Sequence, residues 1–393
     1  MSVSLETEYG HLFLGTIFAA VSAMSFRKII IASDSFKGCL SSLEVADAIA
    51  SGLDGHEIVR IGIADGGEGT AETLTRSLGG RTIGVMVHDP AGRRIMSSYG
   101  ILPDGTAVLD LASASGLTLL APEERNPMRT STFGTGEMIL DALGRGCRKF
   151  MMGIGGSATN DAGTGMLAAL GFRFLDSAGN AVEPCGANLS RITEIDGSGA
   201  AEGLAGAGFT VACDVDNPFF GPSGASEVFA PQKGASKSEV AVLEAGMVSF
   251  AEVLRKSYGE VGIIAGAGAA GGVGGAMALI LGATLKRGID MILDISGFDR
   301  EVADADLVIT GEGKIDAQTA RGKAPAGVLA RTRRINPGAR VWAIGGRVET
   351  CPEVEALGFD RIVEISTGLP ESEAMDPAKT AGRLLLLSDL ISK

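Results

Sequence analysis

Four stretches of this chain set carboxylates where an apolar run ends, three of them among glycines. They are Ala64-Asp-Gly-Gly-Glu-Gly-Thr70, Met152-Gly-Ile-Gly-Gly-Ser-Ala-Thr-Asn-Asp-Ala-Gly-Thr-Gly165, Asp214-Val-Asp-Asn-Pro218 and Thr310-Gly-Glu-Gly-Lys-Ile-Asp316. Glycine lets backbone N–H groups approach a ligand that a side chain would block. The helix that follows presents a positive dipole end to an anion. Acids beside backbone donors suit Mg²⁺, or a base for a substrate hydroxyl next to bound phosphate. The 152–165 stretch therefore reads as a phosphate- or carboxylate-binding loop, with Ser157, Thr159, Asn160 and Asp161 adding polar groups. The plain alternative is a Gly-rich turn that only lets strand and helix pack. Lys37, Gln232 and Lys233 offer donors for anionic oxygen; Asp65, Asp214 and Glu312 are the acids to watch.

The bulk numbers narrow the field. A chain of 393 residues with 45% hydrophobic content holds two to three domains' worth of core. Net charge is −13, with no long basic run, which excludes a nucleic-acid or anionic-membrane surface. One Trp and three Tyr leave no stacking platform for single strands. The five cysteines are scattered without a CxxC pair, pointing to a reducing cytoplasm and no zinc site. Residues 1–25 include the apolar stretch 12–21, short of the ~20 residues a span needs. Glu6 and Glu8 stand where a signal peptide is positive. The expectation is an extension outside the fold, with Met24 as the natural start.

The elements that position these loops alternate strand and helix. Ile29–Ala32 is a buried strand, then Ser41–Ala50 a helix with Ser41 and Glu44 as a capping box. A second strand at 58–63 leads into the Asp65 loop. Between about 80 and 130, turn signals at Asp89-Pro90 and Pro103-Asp104-Gly105 predict antiparallel strands. Parallel units then resume: strands end at Met152, at Cys213, near Ile309 and at Ile344. A long helix is expected from Ser238 to about Tyr258. Gly-bearing loops at strand C-termini are where doubly wound α/β proteins bind ligands.

No GxxxxGK[ST] motif occurs, so a P-loop NTPase is not supported. Gly266-Ala-Gly-Ala-Ala-Gly271 matches the GxGxxG dinucleotide fingerprint after an expected strand, with Asp290 at a plausible distance for its acidic partner. An NAD(P)-dependent dehydrogenase of a small hydroxy acid is thus a rival reading, as is a non-catalytic small-molecule sensor.

Six segments taken together resemble the type 1 glycerate kinase family. They are Asp34-Ser-Phe-Lys37, Ala64–Thr70, Gly153–Asp161, Cys213–Pro218, Pro231-Gln-Lys-Gly-Ala235 and Thr310–Asp316. The likeness runs from about Phe26 nearly to the C-terminus. Ser33 stands where the family often has Pro, and Ala267 where it has glycine; neither change removes a polar group. The resemblance implies an ATP- and Mg²⁺-dependent kinase acting on D-glycerate, in bacterial members usually at the 2-hydroxyl. It also implies two α/β domains with the active site in a cleft. One is Rossmann-like, doubly wound and discontinuous (26–75 and 286–393); the other is a mixed-sheet domain inserted at 76–285.

On that resemblance, triphosphate falls to Gly155, Gly156, Ser157, Thr159 and Asn160, and to Gly266, Gly268, Gly271 and Gly272. Lys37 and Lys233 would neutralise phosphoryl oxygens or hold the glycerate carboxylate. Asp65 would orient or deprotonate the hydroxyl, with Asp214 and Glu312 taking Mg²⁺ directly or through water; the three acids are interchangeable at this level. Asp34, Asp161, Asn217 and Gln232 are the remaining substrate contacts. The expected partner is small-molecule D-glycerate, with no nucleic acid and no membrane, in a cytoplasmic monomer or homodimer.

Overall fold

The computed structural model describes residues 26–63 and 69–391. The expected extension 1–25 and the proposed base Asp65 lie outside the described residues. The described strands are β1 Lys28–Ile31, β2 Glu57–Arg60, β3 Arg81–His88, β4 Arg94–Ile101, β5 Thr106–Asp110, β6 Lys149–Gly153, β7 Arg173–Leu175, β8 Glu194–Asp196, β9 Gly208–Ala212, β10 Thr284–Lys286, β11 Leu307–Ile315, β12 Arg340–Val348 and β13 Arg361–Glu364. The chain divides into two compact units, Met1–Ile63 with Ser296–Lys393, and Ala64–Ile295.

The first unit carries a parallel five-stranded sheet in the order β13-β12-β11-β1-β2. Counted within the unit this is 2-1-3-4-5, the doubly wound order whose switch point falls between its first and third strands. Ile29, Ile30 and Ile31 are fully buried, as a strand covered on both faces requires. The helix Ser42–Ala50 starts on the expected capping box of Ser41 and Glu44. One expectation is corrected: Thr310–Ile315 is not a loop but the continuation of β11, paired with β12 from Thr310↔Ala343 to Ile315↔Val348. Gly311 there serves close packing. A Cβ on Gly311 would sit 2.4 Å from the Ile344 carbonyl oxygen.

The second unit is built on a mixed sheet in the order β10-β9-β6-β5-β4-β3. β3, β4 and β5 pair antiparallel, while β5, β6, β9 and β10 run parallel. The antiparallel expectation for 80–130 is borne out. Asp89 makes the β3–β4 turn by accepting from the Ala91 and Arg93 amides, both at 2.9 Å. Phe150 on β6 stacks on Phe209 of β9 with ring centroids 4.7 Å apart, which fixes these neighbours side by side. The helix Lys237–Ser257 opens on a capping box of Ser236 and Glu239. No described helix is long and apolar enough to cross a membrane.

Candidate active site

In the second unit β6 and β9 are parallel neighbours, with Gly153 opposite Ala212. Their C-terminal ends therefore release the 154–163 and 213–218 loops next to each other. Between these loops lies a cavity of ≈ 450 Å³. Ile154, Gly155, Gly156 and Ser157 form one wall, and Cys213, Asp214 and Val215 another. The short helix Ala225–Phe229 and the turn Pro231–Lys233 bring in Phe229, Gln232 and Lys233. Leu117, Ala212, Ala269 and Ala270 complete the lining.

Lys233 is the charged centre of this cavity. Its side chain is almost wholly buried, and Nζ donates to Ser157 Oγ at 2.7 Å and to the Thr159 carbonyl at 2.6 Å. Burial lowers its pKa to about 7, against an attraction from Asp161 that raises it. A buried ammonium with neutral partners favours an incoming anion.

The 152–165 loop works differently from the sequence expectation. The helix Thr164–Ala169 does follow it, but its N-terminus is already filled from within. Asp161 Oδ1 accepts from the Gly163 amide at 3.1 Å; Oδ2 accepts from the Gly165 amide at 3.2 Å and from the Thr132 amide and hydroxyl at 2.8 Å each. The Met166 amide donates to Thr132 Oγ1 at 2.8 Å. The anion at this helix end is the protein's own carboxylate. Asp161 is fully buried; desolvation raises its pKa while its four donors favour the charged form. Both oxygens of Asp161, expected as a substrate contact, are engaged within the protein, where they brace the loop. Thr159 and Asn160 are also fully buried behind the cavity wall. Asn160 Nδ2 donates to Ser226 Oγ at 3.2 Å, while Asn160 Oδ1 and Thr159 Oγ1 have no partner.

The 266–272 loop is corrected too. It follows a 3₁₀ turn at Val261–Ile263, not a strand, and Asp290 sits in the helix Gly288–Ile295, paired with Arg287 at 3.0 Å. The geometry a dinucleotide fingerprint requires is missing. The Gly268 amide donates to the Asn217 carbonyl and the Gly272 amide to that of Gly268. Gly266 and Gly271 have positive φ, and a Cβ on Gly271 would lie 2.1 Å from the Thr159 carbonyl oxygen. This loop buttresses the 154–163 loop and presents Ala269 and Ala270 to the cavity.

Of the remaining expected residues, Asp214 and Gln232 line the cavity. Asp214 Oδ1 accepts from the Gly288 amide at 2.8 Å. Asn217 turns its side-chain amide to the Ser223 carbonyl at 2.7 Å and is not in the lining. In the first unit, Asp34 and Lys37 follow β1 and Glu312 lies on the adjacent β11, so all three sit at that sheet's switch point. Asp34 accepts from the Ser35 amide at 2.6 Å, and Lys37 is exposed. Glu312 is buried, accepting from Thr319 Oγ1 at 2.6 Å and from Lys323 Nζ at 3.2 Å. No group of three or more His, Cys, Asp or Glu among the described residues is placed to hold a metal. Sequence reading missed the apolar walls at Leu117, Ile154, Val215 and Phe229, which carry no motif, and missed Thr132 as the partner of Asp161.

The pattern of the Glycerate kinase family matches residues 29–386, nearly the whole described chain. The chain belongs to this family. It is 48% identical over 359 residues to the glycerate kinase of Bacillus subtilis (strain 168), covering 89% of this chain and 94% of that protein. It is 40% identical over 348 residues to the glycerate 2-kinase of Escherichia coli (strain K12), covering 87% and 91%. A solved structure from Salmonella typhimurium LT2, described as a candidate glycerate kinase 2, has a TM-score of 0.84 at 38% identity, covering 94% of this chain and 98% of that one. In this glycerate kinase family member, three of the six polar segments, Gly153–Asp161, Cys213–Pro218 and Pro231–Ala235, meet at the cavity beside the buried Lys233.

Proposed function

We propose that this protein transfers the γ-phosphoryl group of ATP to a hydroxyl of D-glycerate, the 2-hydroxyl, giving phosphoglycerate and ADP. Lys233 carries the reading. A buried ammonium, held by Ser157 and the Thr159 carbonyl, borders a cavity of ≈ 450 Å³ in a member of the glycerate kinase family. Phosphoryl transfer asks a protein mainly to position reactants and neutralise charge. Lys233 would neutralise the transferring group, with Gly155, Gly156 and the Ser157 hydroxyl holding phosphate oxygens beside it. Lys37 would add charge or hold the glycerate carboxylate, with Asp34 and Gln232 as hydroxyl and carboxylate contacts. The acceptor oxygen bonds to the γ-phosphorus as the bridging bond to ADP breaks. The hydroxyl proton passes to Asp65.

Mg²⁺ normally keeps waters and phosphate ligands and needs only one or two carboxylates. Asp214, on the cavity wall, fits that demand. Glu312, with both oxygens already accepting, fits a contact through water. The ion would neutralise triphosphate oxygens when bound. A cytoplasmic monomer or homodimer is the accompanying expectation.

The test is ADP release in a coupled assay with ATP, Mg²⁺ and D-glycerate. Turnover that needs both ATP and D-glycerate supports the reading. ADP no higher than in a glycerate-free control defeats it.

A further inference from the structure

We infer that the cavity beside Lys233 takes the nucleoside end of the phosphoryl donor, with Phe229, Leu117, Ile154 and Val215 as the base-contacting residues that set nucleotide preference. The inference rests on the kinase reading and assigns to one substrate a site that two could claim. Size argues first. At on the order of 20–30 Å³ per packed non-hydrogen atom, by the volume a water takes in the liquid, a three-carbon acid fills less than half of ≈ 450 Å³. By the same measure a nucleoside, with about 19 non-hydrogen atoms, fills it and leaves the triphosphate to extend past Lys233.

Chemistry argues next. Glycerate exposes oxygen at every carbon and needs a polar donor on most sides. Four large apolar side chains in the lining would leave those oxygens without protein partners on that side. A flat, largely apolar ring suits such walls, and Phe229 supplies a ring to pack against it. Lys233, Ser157 and Gly156 cluster through the Lys233–Ser157 bond, where phosphates would lie, and Asp214 and Gln232 are the other polar side chains of the lining. Leu117 is joined to the same edge, its amide donating to the Gly156 carbonyl at 2.9 Å. The lining is also held in a costly conformation. Ala270 has φ 52°, a left-handed value that non-glycine residues seldom adopt, and such strain gathers at ligand-binding surfaces.

The experiment pairs equilibrium binding with kinetics in the full-length protein. Calorimetric titration of ATP, and separate KM values for ATP and D-glycerate, are measured for wild type, Phe229→Ala and Val215→Trp. Val215 is partly exposed, so a tryptophan there narrows the cavity without entering the core. Emptying or blocking an aromatic contact should weaken ATP binding by about ten-fold or more, while KM for D-glycerate moves less than about two-fold. A rise in the glycerate KM with ATP binding intact would assign the cavity to the acceptor and overturn the inference. Unchanged values for both substrates in both variants would overturn it as well. If wild type releases no ADP, the kinase reading fails, yet the calorimetric comparison still decides whether nucleotide occupies this cavity.

Discussion

Lys233 Nζ and Ser157 Oγ meet at 2.7 Å, although they are 76 positions apart in sequence. That bond ties the turn Pro231–Lys233 to the glycine loop after β6 and places a cation at the cavity wall. If the charge is what the reaction uses, Lys233→Met should lower kcat/KM by about 10²–10⁴, the range for losing a preorganised electrostatic contact. Lys233→Arg should recover part of it. Steady-state kinetics of both variants, with circular dichroism to confirm folding, would check this; wild-type kcat/KM in Lys233→Met would place the lysine outside the site.

The pKa of Lys233 gives the reaction a signed pH dependence. Burial holds it at about 7 in the ligand-free protein. A phosphate anion binds the protonated form, so its binding raises that pKa. KM for ATP should therefore be flat below about pH 7 and rise above it, by up to ten-fold per pH unit. The Lys233→Arg variant, charged throughout, should lack the rise. KM for ATP measured from pH 6 to 9 in both proteins reads this directly.

The same burial predicts a stability effect. The folded-state pKa is depressed below the ordinary 10.5, so between about pH 7 and 10.5 the unfolded chain binds the extra proton. Stability then rises with pH across this window, and it is lowest where both states are protonated, below about 7. Lys233→Met should exceed wild type in thermal stability at pH 6, with the gap closing as pH rises towards 10. Thermal melts across that range would show the convergence, or its absence.

Asp161 should behave as a brace. Removing a fully buried carboxylate that serves four donors costs on the order of 3 kcal/mol or more. Asp161→Ala is expected to lower Tm by several degrees, while D-glycerate KM stays near wild type in the folded fraction. A large KM effect with unchanged Tm would restore the ligand role.

Asp65→Asn is expected to lower kcat by about 10²–10⁴, the usual contribution of a positioned base, with folding retained. Near-normal kcat would pass the base role to another acid.

Much of the fold was legible because its strands are written in apolar runs. Ile29–Ile31 and Phe150–Met152 have a buried-strand signature, and Asp89-Pro90 marks a hairpin. Glycine proved the ambiguous letter. In 310–316 and 266–272 it permits close packing, of Gly311 against Ile344 in one case and of Gly271 against Thr159 in the other. Asp161 is ambiguous for a related reason: a carboxylate at a helix start can be ligand-binding or can itself be the anion that fills the site. Only the position of Thr132, distant in sequence, separates the two. The apolar walls were invisible because Leu117 and Phe229 become neighbours of the glycine loop only through the fold.

The most direct test of the account is ³¹P NMR of the products formed by wild-type protein from ATP, Mg²⁺ and D-glycerate. The account predicts a phosphate-ester resonance of phosphoglycerate growing in step with ADP, split by the single proton at C2. ADP accompanied only by inorganic phosphate, or no change in the ATP resonances, would contradict it.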